Sequence, residues 1–86
     1  MITIYVLKGK NGKRYVGITN DLARRLREHR AKRSKGSQIL GDFYVLLTEE
    51  YPNHKLARVR EKFLKSGQGR KWLNEFESKS EPANGG

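Results

Sequence analysis

The chain has 86 residues, 35% of them hydrophobic and 33% charged, with a net charge of +10. That length suits one domain with a small core. The lack of cysteine excludes disulfides and thiolate zinc sites, and two histidines are too few for a three-histidine catalytic zinc.

The charge is local. Residues 8–36 hold eleven Lys/Arg against only Asp21 and Glu28, a net of +9, whereas residues 37–86 carry +1. Such a lopsided field attracts a polyanion, and nucleic acid is the expected partner; the competing explanation is a basic surface that serves only solubility. No run reaches the ~20 apolar residues of a membrane span. The N-terminus shows no signal-peptide pattern. A cytoplasmic location with no membrane partner is therefore expected.

In chain order, residues 2–8 are rich in β-branched and aromatic side chains and read as a strand. Lys10-Asn11-Gly12-Lys13 is a hairpin turn, and residues 13–18 are the returning strand. Gly17 within it lets a backbone or ligand approach closely. Thr19 or Asn20 would cap a helix ending near Lys32, with Leu22, Leu26 and His29 on one face and Arg25 at its edge. Residues 33–41 read as a mobile basic loop. Residues 42–50 form a third strand whose continuous apolar centre predicts burial on both faces. Asn53 caps a helix over about 54–66, where Leu56, Val59 and Phe63 form an apolar stripe. Gly67 would close that helix. A last short helix begins at Gly69, with Trp72, Leu73 and Phe76 closing the core. The expected domain is 1–77, followed by a disordered polar tail, 78–86. The fold class is α+β: a small three-stranded antiparallel sheet flanked by about three helices, in the order strand-strand-helix-strand-helix-helix.

Two phenols, Tyr5 and Tyr15, close the first two strands ten residues apart, and a basic helix follows at once. Pattern alone favours two amphipathic core tyrosines with satisfied hydroxyls. Glu61 lies off the predicted apolar stripe and could simply pair with Lys65 one turn later. His29 is as readily a packed, neutral histidine as a phosphate contact.

Taken together, Thr3-Ile4-Tyr5, Tyr15-Val16-Gly17, Arg25, His29 and Glu61 resemble the GIY-YIG endonucleases. The resemblance is to the small stand-alone members, which are similar to the N-terminal nuclease domain of excinucleases, and it covers about residues 2–75. Thr3 replaces the first glycine of the motif. Ile18 stands where the excinuclease-like members have a lysine, and Asn74 matches the family asparagine only loosely. The resemblance implies an endonuclease hydrolysing DNA phosphodiester bonds on damaged, branched or structured substrates, as in repair or recombination. It implies Tyr15 as general base, with Tyr5 as its partner or substitute, and Arg25 and His29 at the phosphate. It also implies Glu61 as ligand of one Mg²⁺ or Mn²⁺. Lys13, Arg14, Arg24, Arg27, Arg30, Lys32, Arg33 and Lys35 would hold the DNA backbone, or that of RNA. A double-strand break would need a second copy or a protein partner. The alternatives are a non-catalytic basic DNA- or RNA-binding module and a nuclease that depends on a partner protein.

Overall fold

A computed structural model describes residues 1–31 and 40–80. Three strands, β1 (Ile2–Gly9), β2 (Arg14–Thr19) and β3 (Phe43–Tyr51), and three helices, α1 (Leu22–Arg30), α2 (His54–Lys65) and α3 (Gly67–Ser80), follow the expected order. The sheet is antiparallel with strand order β2-β1-β3. The hairpin turn forms as its Asn-Gly pair predicts: Gly12 adopts φ +88°, and Asn11 Oδ1 accepts the Lys13 N–H at 3.0 Å.

The doubly buried strand is β1, not β3 as its apolar centre suggests. Ile4, Tyr5, Val6 and Leu7 are at most 1% exposed, whereas Tyr44 in β3 is 52% exposed. Burial on both faces and both edges falls to the strand that pairs twice, which is β1. Alternation along β1 and β2 then sorts two cores. Tyr5, Leu7 and Tyr15 face α1, where Leu22 and Leu26 cover them with Leu40, Phe43 and Val45. Ile2, Ile4, Val6 and Val16 face Ala57 and Leu64 of α2 and Leu73 of α3.

Asp21 rather than Thr19 or Asn20 caps α1, its side chain accepting the Arg24 N–H at 3.0 Å. Thr19 supports the cap instead, its Oγ1 accepting the Asp21 N–H at 3.0 Å. The helix stops at Arg30, short of Lys32. Asn53 caps α2 as predicted, but the buried face is different. Leu56 and Val59 are 47% and 67% exposed, whereas Ala57 and Leu64 are buried and Arg60 and Glu61 are partly covered. Of the predicted stripe only Phe63 packs against the core; the rest of the covered face is Ala57, Arg60, Glu61 and Leu64, at helical i, i+3, i+4, i+7 spacing. Arg60 can sit there because its guanidinium forks onto Glu49 at 2.9 and 3.1 Å and lies 4.5 Å over the Trp72 ring.

Ser66, not Gly67, ends α2, and it also starts α3. Its Oγ donates to the Phe63 carbonyl at 2.6 Å and accepts the Gly69 N–H at 3.1 Å. Gly69 is the crossing point of the two helices: a Cβ there would lie 1.9 Å from the Phe63 carbonyl oxygen. Helix α3 runs on to Ser80, past the predicted start of the tail. Leu40, at the end of the predicted basic loop, is buried against Tyr5 and Leu7. Residues 32–39, with Lys32, Arg33 and Lys35, and residues 81–86 lie outside the described residues. Among the described residues no helix is long and apolar enough to cross a membrane.

Candidate active site

Tyr5 projects from the central strand towards α1 and is 1% exposed. Its hydroxyl sits between two side chains of that helix, one turn apart. Arg25 Nε donates to the Tyr5 oxygen at 3.1 Å, and His29 Nε2 lies 3.1 Å from the same oxygen. The bond between the Tyr5 hydroxyl and His29 Nε2 takes its direction from the imidazole tautomer. The electrostatics favour a neutral ring. Burial, then the Arg25 charge, hold the His29 pKa below its ordinary value. Burial pushes the Tyr5 pKa up, although its hydrogen bond from Arg25 opposes this. Tyr5 is thereby a neutral hydroxyl at physiological pH.

Gly17 explains how the phenol fits. It faces Tyr5 across the β1–β2 ladder, and a Cβ there would come within 2.5 Å of the Tyr5 oxygen and 2.6 Å of Cζ. The close approach anticipated at Gly17 is made by the Tyr5 ring. Tyr15 packs on the same group, tilted against Tyr5 with ring centroids 6.1 Å apart and edge-to-face with His29 at 5.1 Å. Its hydroxyl is a further polar neighbour of both Tyr5 and Arg25. Arg25 is held by Glu28 through Nη1 at 2.9 Å, and chiefly by that bond its pKa is raised. The same bond is the main cause of the lowered Glu28 pKa. The bonds to Tyr5 and Glu28 occupy Nε and Nη1 and do not use Nη2. Four of the five predicted site residues, Tyr5, Tyr15, Arg25 and His29, therefore converge on one spot.

Glu61 stands apart, on the helix that covers the other face of the sheet. Its Oε2 accepts from Lys65 Nζ at 3.0 Å, as the sequence spacing allows, and its side chain is 16% exposed. Between Tyr15 and Lys65 lies a cleft of about 340 Å³ at the β2 edge of the sheet, lined by Gly12, Arg14, Tyr15 and Val16 on one wall and Leu64, Lys65, Arg70 and Leu73 on the other. Tyr15 and the partner of Glu61 face this same space. Among the described residues no three carboxylate or histidine side chains cluster to hold a metal. A lone carboxylate nonetheless suits Mg²⁺, which keeps several waters and borrows substrate oxygens. Glu61 could fill that role, as a partly covered carboxylate whose described partner is the end of a 55% exposed lysine.

The basic residues divide. Lys13, Arg24, Arg27 and Arg30 are exposed, Arg30 lying 5.8 Å over the Phe43 ring. Arg14 is instead committed within the fold. Its Nε donates to Glu77 Oε2 at 2.7 Å, its Nη2 donates to Asn74 Oδ1 at 2.5 Å and also bonds Glu77. Lys8 donates to Glu77 at 2.9 Å, so one carboxylate staples both strands of the hairpin to α3. Burial works to raise the Glu77 pKa, but Lys8 and Arg14 outweigh it and the net shift is downward. Asn74 thus belongs to this staple. Glu77 and Arg70 have no distinctive sequence pattern; their places become visible only when α3 packs.

The family model described as the GIY-YIG catalytic domain matches residues 1–77. A curated relative, a UPF0213 protein of Klebsiella pneumoniae subsp. pneumoniae, is 35% identical over 57 residues, 63% of this chain and 52% of the relative. The chain therefore matches about half the length of that protein. The solution NMR structure of a UPF0213 protein from Bacillus halodurans superposes with a TM-score of 0.54 and 28% identity, covering 87% of this chain and 84% of the other.

Proposed function

The chain belongs to the GIY-YIG family, and from that premise we propose that it is a divalent-metal-dependent endonuclease that hydrolyses DNA phosphodiester bonds, acting on damaged, branched or structured DNA. The observation that carries the reading is the Tyr5 hydroxyl fixed between Arg25 and His29, with the Tyr15 ring beside it at the mouth of a basic cleft.

The two phenols have separate tasks. Tyr5 is buried and held between Arg25 and His29, so its task is to position them. Tyr15 is left to take the proton of the attacking water. Arg25, anchored through Nε and Nη1, turns its remaining guanidinium edge to the scissile phosphate and stabilises the charge that develops there. His29 keeps Tyr5 and, through it, Arg25 in place. Glu61 would hold one Mg²⁺ or Mn²⁺, which when bound supplies Lewis-acid stabilisation at the phosphate and the leaving oxygen. Exposed Lys13, Arg24, Arg27 and Arg30 would contact the backbone, giving affinity with a steep salt dependence.

A nicking assay on a panel of duplex, fork, flap and branched DNA, with Mg²⁺, Mn²⁺ or EDTA, tests this. Cleavage should require the cation, be lost in Glu61→Ala, drop about 10²–10⁴-fold in Tyr15→Phe and fall in Arg25→Ala. Equal cutting by Glu61→Ala and the unaltered chain would remove the metal assignment. Binding indifferent to EDTA, with no cutting of any substrate, would mark the domain as a binding module.

A further inference from the structure

The cleft at the β2 edge carries more positive charge than the chemistry at Tyr15 needs. Arg70 stands on one of its walls, in the first turns of α3, with no carboxylate partner among the described residues. Lys65 faces the same space while paired with Glu61, and Arg14 contributes the rest of a guanidinium already fixed by Glu77 and Asn74. Between these cations the walls are apolar: Val16, Leu64 and Leu73. A volume of about 340 Å³ lies at the lower end of the ~300–1,000 Å³ typical of small-ligand sites. Cations at the rim with aliphatic side chains between them suit a nucleotide, with its phosphate outside and its sugar and base against carbon.

We propose that this cleft binds the nucleotide next to the one being cut, with Arg70 as the contact for its phosphate, Lys65 as a second contact, and Val16, Leu64 and Leu73 as the surface under the nucleoside. The assignment rests on the nuclease reading, because it places the strand across Tyr15 and into the cleft. It sets a footprint on the substrate: a strand end with no nucleotide in the cleft is a poor substrate. Lys65 connects the cleft to Glu61. A cation on that carboxylate competes with the 3.0 Å lysine contact and frees Lys65 for the phosphate, so occupation of Glu61 and of the cleft reinforce one another.

The test is an amide-resolved NMR titration in EDTA with a 5′-phosphorylated thymidine dinucleotide and, in parallel, inorganic phosphate. The dinucleotide should shift the amides of Tyr15, Val16, Leu64, Arg70 and Leu73. It should bind at least about ten times more tightly than phosphate, since only it covers the apolar walls. Arg70→Ala should weaken dinucleotide binding about five- to tenfold and lower the salt slope by about 0.7, one single-strand phosphate contact. Lys79→Ala, an equal charge change elsewhere on α3, should do neither. Adding Mg²⁺ should tighten dinucleotide binding in the native chain and lose that effect in Lys65→Met. Shifts that avoid the cleft, equal losses in Arg70→Ala and Lys79→Ala, or equal affinity for phosphate and dinucleotide would each overturn the assignment. The two readings fail separately. Cleavage of DNA without cleft shifts removes only the subsite, whereas cleft shifts in a protein that cuts nothing remove the nuclease reading.

Discussion

Substituting Gly17 by alanine tests the geometry of the phenol site directly. The new Cβ would lie 2.5 Å from the Tyr5 oxygen, 2.6 Å from Cζ and 3.0 Å from a Tyr15 ring carbon. No real Cβ tolerates the first two, so the Tyr5 ring must move. It cannot move freely, being 1% exposed and held by Arg25 and His29, each at 3.1 Å. Overpacking of this kind costs about 1–3 kcal/mol, and loosening two hydrogen bonds adds about 1 kcal/mol each. Replacing a strand glycine offsets about 0.5–1 kcal/mol through the unfolded state. The net expectation is a loss of about 2–4.5 kcal/mol. In a domain of this size that lowers Tm by roughly 8–36 °C. Urea unfolding measures it. The combined variant Gly17→Ala with Tyr5→Phe removes the nearest clashing atom, so the two substitutions should together cost at least about 0.5 kcal/mol less than their sum. A Gly17→Ala protein within about 0.5 kcal/mol of the native chain, the usual scatter of surface changes, would refute the packing of Tyr5 over the strand. So would strict additivity.

Four further outcomes are expected. Tyr15→Phe should cost cleavage about 10²–10⁴-fold, the contribution of a general base, while Tyr5→Phe retains measurable turnover and loses about 1–2 kcal/mol of stability from two hydrogen bonds; single-turnover rates separate them. The His29 pKa is lower in the fold than its unfolded value near 6.5. The fold therefore prefers neutral His29: that stability is complete above about pH 6.5 and is lost as the pH falls through the lower folded value. A urea midpoint that declines below pH 6.5, and declines less in His29→Gln, confirms it. Gly69→Ala should be more harmful than Gly17→Ala, because its Cβ meets a backbone carbonyl at 1.9 Å rather than a side chain; the test is whether it unfolds at lower urea. Glu77→Gln should lose about 1–2 kcal/mol, as expected for charge-assisted hydrogen bonds, and the loss should shrink in 1 M salt, seen as a smaller gap between urea midpoints.

Most of the element order and the phenol site are legible in the sequence, because both depend on short-range patterns. Asn11-Gly12 makes the hairpin, the hairpin puts Gly17 opposite Tyr5, and one helical turn joins Arg25 to His29. Strand order is a different matter. Nothing local says that β3 returns beside β1, so the strand with the most apolar centre reads as the most buried one. The packed face of α2 is hidden for a related reason. Ala57 and Leu64 mark it weakly, and Arg60 and Glu61 disguise it, since Arg60 is acceptable only where Glu49 and Trp72 meet it. Leu56 and Val59 carry the stronger hydrophobic signal yet face outward. Cap identity follows the same logic: Thr19 and Asn20 have suitable chemistry, but Asp21 occupies the position that reaches the Arg24 N–H.

The Ser66 joint has a mechanical consequence. A linker of several residues would let two helices swing independently; here one hydroxyl ties the last turn of α2 to the first turn of α3, and Gly69 seats one helix on the other without clearance. The pair behaves as a single stiff jaw that bears both Glu61 and Arg70. The hairpin is fixed to that pair through the shared core of Ile4, Val6, Val16, Ala57, Leu64 and Leu73 and through the Lys8–Glu77–Arg14 contact, so the two walls of the cleft at the β2 edge keep a set spacing.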